Sequence, residues 1–104
     1  MAELTMSGDA GDEDKLLAQI AGGDMRALEA LYRRMRVFAV ALAVVGDRST
    51  AEHVRQDTFV LVYSAASGYQ PRSRARAWVL TIARHLALDV VRRRTRERLT
   101  PIER

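Results

Sequence analysis

Aromatic rings and arginine side chains lie close together in the sequence around Tyr69 and Trp78. Aromatic rings stack on unpaired bases, at about 1–3 kcal/mol per base, and guanidinium groups bind phosphates. This combination favours single-stranded nucleic acid, because the bases within a duplex do not expose their faces. Helical spacing also favours a core position for Trp78. Tyr69, in a loop with Gly68 and Pro71, is therefore the better stacking candidate.

The charge distribution along the chain indicates the same kind of partner. Residues 1–71 carry seven basic and ten acidic side chains, a net charge of −3. Residues 72–98 carry nine arginines against Asp89 and Glu97, a net charge of +7. Charge segregated in this way indicates that one end of the molecule meets a polyanion. An arginine-rich helix end in solvent is the alternative, because basic side chains also stabilise a helix C-terminus.

Groups suited to catalysis or metal binding are sparse. The chain has no cysteine, which excludes disulfides, thiolate metal sites and thiol nucleophiles. The two histidines, His53 and His85, are far apart, and the helical spacing of His53 and Asp57 is usual for a surface contact. The sequence contains no glycine-rich loop of the phosphate-binding type. We therefore predict a protein that is not an enzyme and that uses no metal or cofactor.

The 104 residues have room for one domain. We predict a disordered leader over 1–11, a helical domain over 12–98 and the start of a linker over 99–104. The first helix is predicted from Asp12 to Ile20, with two glycines as its stop, and the second from a cap at Asp24 to Val45. The N-terminus does not read as a secretion signal and the apolar runs are too short to span a membrane, which favours the cytoplasm.

Two further helices complete an all-α bundle of about four helices. The third is predicted to open with a capping box over 49–52 and to run to about Ser67. Its inward row is predicted to be Val54, Thr58, Leu61 and Ala65, with Phe59, Val62 and Ala66 beside it. The last helix is predicted from about Arg74 to Arg98, with an apolar row of Trp78, Ile82, Leu86 and Val90.

Three blocks of sequence follow one another over residues 16–96: LLAQIAGGDMRALEALYRRM, GDRSTAEHVRQDTFVLVYSAASGYQP and RARAWVLTIARHLALDVVRRRTR. In order and spacing they resemble region 2 of bacterial extracytoplasmic-function (ECF, group 4) sigma factors. The resemblance that they carry covers about residues 14–97. The resemblance implies the all-α fold of that region and a role as a dissociable subunit of RNA polymerase that starts transcription. A full-length member of the family continues through a linker into a second helical domain.

The resemblance also implies a docking helix for core RNA polymerase. In the family, the helix with the AE-x-x-x-Q-[DE]-x-F pattern binds the clamp helices of the largest catalytic subunit. His53 stands where aspartate is typical, and Arg55 where an aliphatic residue is typical. Many relatives are held inactive by an anti-sigma factor, so such a factor is a further expected partner. The expected docking residues are Glu52, His53, Arg55, Gln56, Asp57 and Val60.

A DNA site is implied for the other end of the domain. In the family, the loop before the last helix captures a base flipped out of the promoter −10 element on the non-template strand, and this joins melting to recognition. The expected capture residues are Tyr69, Gln70, Pro71, Arg72, Ser73 and Arg74, with Trp78 as a further stacking candidate. The residues expected to follow the strand and the upstream duplex are Arg76, Arg84, His85, Arg92 and Arg93. His85 stands where asparagine is common.

Two other functions remain open from the residues alone. A generic basic helical regulator would read duplex DNA through an exposed recognition helix and would prefer double strands. A helical interaction module whose arginines only increase solubility would have negligible affinity for nucleic acid at moderate salt. Contacts with several phosphates, by contrast, give affinity a steep salt dependence.

Overall fold

The computed structural model describes residues 3–70 and 74–99, with side chains from residue 11 onward. The described part is helical and contains no strand, which confirms the all-α prediction. None of its helices is long and apolar enough to cross a membrane. The elements are α1 (Glu3–Ala21), α2 (Met25–Arg34), α3 (Val37–Val45), α4 (Arg48–Ala65), a 3₁₀ turn (Ala66–Gly68) and α5 (Ala75–Leu99).

Helix α1 begins at Glu3, so the predicted start at Asp12 is wrong and helix covers residues 3–11 of the predicted leader. Once a helix has nucleated, each added residue brings one more hydrogen bond, and no proline stands in the way. The helix ends at Ala21, one residue after the predicted Ile20 and just before the two glycines predicted as its stop. There the chain turns at Gly23, whose φ of 95° suits glycine.

The predicted second helix is broken in two at Met35 and Arg36, where Met35 is extended (φ −92°, ψ 146°). The break contains neither proline nor glycine. Met35 and Val37 would lie about 160° apart on a continuous helix, which would expose one of them. With the break, Met35 is 6% and Val37 0% exposed. The predicted cap at Asp24 is confirmed, because its Oδ1 accepts from the Arg26 N–H at 2.9 Å.

The corner between α3 and α4 is formed by Gly46 and Asp47. Gly46 takes a left-handed conformation, with φ 88°, that ends α3. Asp47 then caps α4 by accepting the Thr50 N–H at 2.9 Å, so the capping box predicted at 49–52 is wrong. An aspartate two residues earlier places its charge at the positive end of the helix. The bond from the Thr50 N–H, a second bond from the Thr50 hydroxyl and one from Arg94 lower the pKa of Asp47 to about 2.

The inward row of α4 follows an i+4 spacing. Val54 and Thr58 are buried as predicted, but the row continues through Val62, while Leu61 is 42% exposed and Ala65 is also exposed. Near its start, α4 shares a core cluster with α3, and near its end it shares one with α1, so its buried side drifts around the axis. Phe59, Val62 and Ala66, which were predicted beside the row, are buried.

The buried row of α5 lies one position later than predicted. It consists of Ala75, Val79, Ala83 and Ala87, each at most 1% exposed. The larger side chains of the predicted row, from Trp78 to Val90, are half-buried on its flank. Small side chains allow neighbouring helices to approach closely, and α5 packs against both α3 and α4. This row, which we call the alanine seam, fixes the rotation of α5 and hence the side chains it presents to solvent.

Candidate nucleic-acid interface

An open groove of about 440 Å³ lies between the loop that follows the 3₁₀ turn and the first turns of α5. Tyr69 and Trp78 form its aromatic wall, with ring centroids 5.1 Å apart and planes tilted by 50°. This tilted packing is favourable for aromatic pairs. The other groove residues are Gly68, Gln70, Arg74, Ala77 and Thr81. Three predicted capture residues, Tyr69, Gln70 and Arg74, thus share the groove with Trp78, whereas Pro71, Arg72 and Ser73 lie outside the described residues.

The Tyr69 side chain is held at its hydroxyl. The hydroxyl donates to Oδ1 of Asp14 at 2.8 Å and accepts the backbone N–H of Arg74 at 3.0 Å. The Tyr69 backbone N–H is also bonded, to the Ala66 carbonyl at 3.1 Å. The two described ends of the loop are therefore joined through one phenol group. Sequence reasoning missed Asp14, because nothing in its spacing relates it to a loop 55 positions later.

Glu13, beside Asp14, is a buried carboxylate with 2% exposure. Its Oε2 pairs with a guanidinium nitrogen of Arg76 at 2.5 Å and with Nε of Arg34 at 3.7 Å. The predicted helix start at Asp12 would place Glu13 in the first helical turn, and the resemblance implied that Arg76 contacts DNA. Arg76 instead lies on the side of α5 that faces α1, with its side chain 47% exposed. The pair joins α1, α2 and α5 next to the groove.

A line of polar side chains continues from the groove along α5. Arg74, Thr81, His85 and Arg92 fall within about 40° of one another around the helix, and all are exposed. The line spans five turns, or about 27 Å. Arg84 and Arg93 are also exposed, about 80° and 100° from Arg74 on either side. Arg92 pairs with Asp89 on the same helix at 3.1 Å. Three of the predicted DNA-contacting residues, Arg74, His85 and Arg92, thus share the solvent-facing side of α5, and Arg84 and Arg93 lie on its two flanks.

Arg94 has a structural position that the sequence did not reveal. Its guanidinium donates to the Val45 carbonyl at 2.8 Å, to Oδ1 of Asp47 at 2.7 Å and to the Thr50 hydroxyl at 2.8 Å. These bonds attach the end of α5 to the corner between α3 and α4. Within a run of arginines, no local signal separates this one from its neighbours.

The outer side of α4 carries four of the six predicted docking residues: His53, Gln56, Asp57 and Val60, all exposed. We call these four residues the α4 face. Val60 is 65% exposed, as its predicted role as a docking residue requires. Leu61 and Tyr63, beside it, are also exposed and extend the apolar part of the surface. Neither residue was among those predicted for docking, and Leu61 was assigned to the core.

The other two predicted docking residues, Glu52 and Arg55, pack inward against α2 and α3. The Arg55 guanidinium lies 4.7 Å from the Tyr32 ring centroid and 5.2 Å from that of Phe38. It donates to Oε1 of Glu52 at 2.5 Å, while the Tyr32 hydroxyl donates to Oε2 at 3.3 Å. The bond from Arg55 lowers the pKa of Glu52, and burial raises that of Tyr32. Arginine thus fills a site between two aromatic rings.

Comparison with known proteins gives a consistent picture. The family profile described as Sigma-70 region 2 matches residues 30–97. The ECF RNA polymerase sigma factor SigK of Mycobacterium sp. (strain KMS) is 38% identical over 84 residues, which cover 78% of this chain and 44% of that protein. The ECF RNA polymerase sigma factor SigC of Mycobacterium tuberculosis (strain CDC 1551 / Oshkosh) is 34% identical over 100 residues, which cover 91% of this chain and 54% of that protein.

The chain spans about half the length of these relatives. No solved structure gives a significant match. Within the described residues, no group of three or more histidine or acidic side chains is arranged to hold a metal ion.

Proposed function

Because the chain belongs to the sigma-70 region 2 family, in its ECF group, we propose that it binds core RNA polymerase and recognises and melts the promoter −10 element. It acts as a transcription-initiation factor in the cytoplasm and performs no catalysis itself. The observation that carries the proposal is the aromatic-walled groove at the head of a line of exposed cationic and polar side chains on α5.

The groove and the line have complementary tasks. Extruding a base from a duplex costs a few kcal/mol of stacking and pairing, and contacts in a fitted slot recover that cost. The wall of Tyr69 and Trp78 offers about 1–3 kcal/mol for a stacked base. Arg74 lies in the groove itself, and Arg84 and Arg92 lie farther along α5, where guanidinium groups hold phosphates without reading sequence. The non-template strand therefore enters at the groove and follows α5.

Core RNA polymerase is the proposed partner of the α4 face, through the clamp helices of its largest catalytic subunit. Gln56 and Asp57 supply hydrogen-bonding groups, and Val60 supplies an apolar contact that is exposed in this chain. The same surface is the proposed target of an anti-sigma factor. Glu52 and Arg55 support this helix from its inner flank through their contacts with Tyr32.

The test is a binding titration with three forms of one DNA sequence: single strand, duplex, and duplex with a mismatched bubble. The sequence comes from selection of bound single strands from a random pool. We expect the single strand and the bubble to bind at least about tenfold more tightly than the duplex, since they spare most of the melting cost. Equal affinity for all three forms, or preference for the duplex, contradicts the proposal.

Salt dependence identifies the phosphate contacts. Arg92→Gln should reduce the slope of log affinity against log salt by about one unit, because one phosphate contact is lost. Arg33→Gln removes the same charge from α2, where Arg33 pairs with Glu29, and should leave the slope unchanged. Co-purification of the chain with core RNA polymerase tests the second half of the proposal. Failure to co-purify contradicts the docking role and leaves the DNA-binding role standing.

A further inference from the structure

We propose that Asp14 and the Tyr69 hydroxyl are positioning residues that hold the wall of the base-binding groove in place. Tyr69 then contributes through its hydroxyl as well as through its ring. The inference rests on the proposed function, because it concerns the same groove. It adds a part of the chain, α1, that lies outside the residues 30–97 matched by the family profile.

The first step concerns what the hydroxyl does. A phenol hydroxyl has one hydrogen to donate, and that of Tyr69 goes to Asp14 at 2.8 Å. The same oxygen accepts the N–H of Arg74, at the N-terminus of α5, where backbone donors have no partner within the helix. The Tyr69 side chain thus links the two described ends of the loop and provides an acceptor for a backbone N–H at the start of α5.

The second step concerns the space around the ring. On one side of Tyr69 lies the groove of about 440 Å³. On the other side lies a recess of about 210 Å³ that Tyr69 lines together with Asp14, Ala18, Ala21, Ala66 and Ser67. The ring packs on the core and against Trp78, while the recess leaves open space beside it. The two hydrogen bonds of the hydroxyl add to this packing and fix the ring in its position as a wall of the groove.

The third step concerns how Asp14 is itself held. The preceding residue, Glu13, is buried and forms an ion pair with Arg76. Arg76 lies in the first turn of α5, two positions after Arg74. This ion pair fixes α1 against α5 at the level of the groove. The ion pair thereby fixes the position of the Asp14 carboxylate relative to Arg74. The Tyr69 hydroxyl is hydrogen-bonded to the Asp14 carboxylate and to the Arg74 N–H.

Tyr69→Phe separates this role from simple stacking, because phenylalanine keeps the ring and loses both hydrogen bonds. The experiment measures binding of the 104-residue chain to a single strand selected from a random pool, and to the same strand with an abasic site at each position in turn. The variants are Tyr69→Phe, Tyr69→Ala, Asp14→Ala, and Tyr69→Phe combined with Asp14→Ala. Asp12→Ala is the matched control, since Asp12 is an exposed aspartate on the same helix.

We expect Tyr69→Phe and Asp14→Ala each to weaken binding of the intact strand about five- to tenfold, in line with the net contribution of an ordinary hydrogen bond. The variants should bind the strand that lacks the captured base as tightly as the wild type does. The ratio of affinity for the intact strand to affinity for the abasic strand therefore falls in the variants. The double variant should bind no more weakly than Tyr69→Phe, because both substitutions break one unit. Asp12→Ala should bind like the wild type.

The outcomes separate the possible failures. If Tyr69→Phe binds like the wild type while Tyr69→Ala is impaired, Tyr69 only stacks: the positioning role is wrong and the proposed function stands. If the variants lose affinity equally for intact and abasic strands and melt at lower temperature, the bonds are merely structural, which also overturns the inference. If the wild type itself does not distinguish intact from abasic strands, the proposed function fails and the inference fails with it.

Discussion

The groove and the α4 face are built in opposite ways. The α4 face comes from one helix, on which His53, Gln56, Asp57 and Val60 are exposed because of their spacing alone. The groove is lined by the 3₁₀ turn, the loop and α5, and it also depends on α1, whose Asp14 accepts the hydrogen bond of the Tyr69 hydroxyl. Its aromatic wall is held by Asp14, which lies 55 positions before Tyr69. A face on one helix is therefore a local property, whereas the groove exists only when distant parts of the chain are correctly packed.

This difference has a consequence for substitutions. Exposed side chains that pack on nothing usually change stability by less than about 0.5 kcal/mol when replaced. Residues that hold distant elements together change both stability and the site they build. Damage to the groove should therefore accompany damage to the fold, while the α4 face should lose its partner without loss of stability. The following variants test this contrast.

Glu13→Ala is expected to have the largest effect, because it removes the buried partner of two guanidinium groups. Breaking a buried pair typically costs about 3–5 kcal/mol. Since the Arg76 side chain is 47% exposed and can turn towards water, we expect a loss of about 1–3 kcal/mol in the free energy of unfolding, measured with urea. Strand binding should weaken together with stability.

Glu29→Ala is the control, because Glu29 forms an exposed ion pair with Arg33 at 2.7 Å. The effect of Glu29→Ala on the free energy of unfolding should stay below about 0.5 kcal/mol.

The Glu13→Ala variant also tests the α4 face. Under conditions where this variant remains folded, its affinity for clamp helices should match that of the wild type. A parallel loss of clamp-helix binding would show that the two sites are not independent.

Gln56→Ala combined with Asp57→Ala tests the other side of the contrast. We expect about a tenfold weaker pull-down of clamp helices, since a few residues carry most of the energy of an interface. The melting temperature should not change, because both side chains are exposed. Glu29→Ala combined with Arg33→Ala makes a matched double change on α2. Binding of the first double variant at the wild-type level would exclude the α4 face as the docking surface.

Arg55 gives a smaller effect that sharpens the boundary of the α4 face. Arg55→Ala removes the guanidinium from the rings of Tyr32 and Phe38 and should cost about 1 kcal/mol of stability. Arg55→Leu should retain most of that stability, because it keeps the packing and also removes Nε, which is buried and makes no hydrogen bond. If both variants lose clamp-helix binding to the same extent, although only Arg55→Ala loses stability, the loss follows the missing charge and Arg55 is a contact residue.

Asp47→Ala is expected to have the smallest effect, and a dependence on pH identifies it. The Thr50 N–H, the Thr50 hydroxyl and Arg94 lower the pKa of Asp47 from 3.8 to about 2 in the folded chain. A lowered pKa means that Asp47 stabilises the fold above about pH 4 and that this contribution is lost as the pH falls through 2. The difference in melting temperature between wild type and variant should therefore shrink over that range. A constant difference down to pH 2 would contradict the assigned cap.

The sequence predicted the features that depend on near neighbours. The cap at Asp24, the end of α1 at the two glycines, the extent of α5 and the exposure of Val60 all follow from local spacing and turn chemistry. The break at Met35 was not predictable in this way. No residue type marks it, and its cause is the burial of two apolar side chains that one straight helix cannot bury together.

The parts of the site that were missed have tertiary causes. Glu13 looked like an ordinary residue of a first turn, and only the arrival of Arg76 from α5 makes its burial favourable. Arg94 looked like one of several arginines suited to DNA, yet it holds the corner between α3 and α4. In α5, the large apolar side chains suggested the buried row, whereas the close approach of helices selected the small ones beside them.

The alanine seam divides α5 into positions with different freedom to vary. Enlarging Ala75, Ala83 or Ala87 would force neighbouring helices apart, which typically costs about 1–3 kcal/mol. Positions 77, 81, 84 and 85 are exposed, and substitution there leaves the seam untouched. Under the proposed function, a combinatorial library that randomises these four positions and keeps the seam would vary the preferred DNA sequence on an unchanged scaffold and would be a starting point for engineering new promoter specificity.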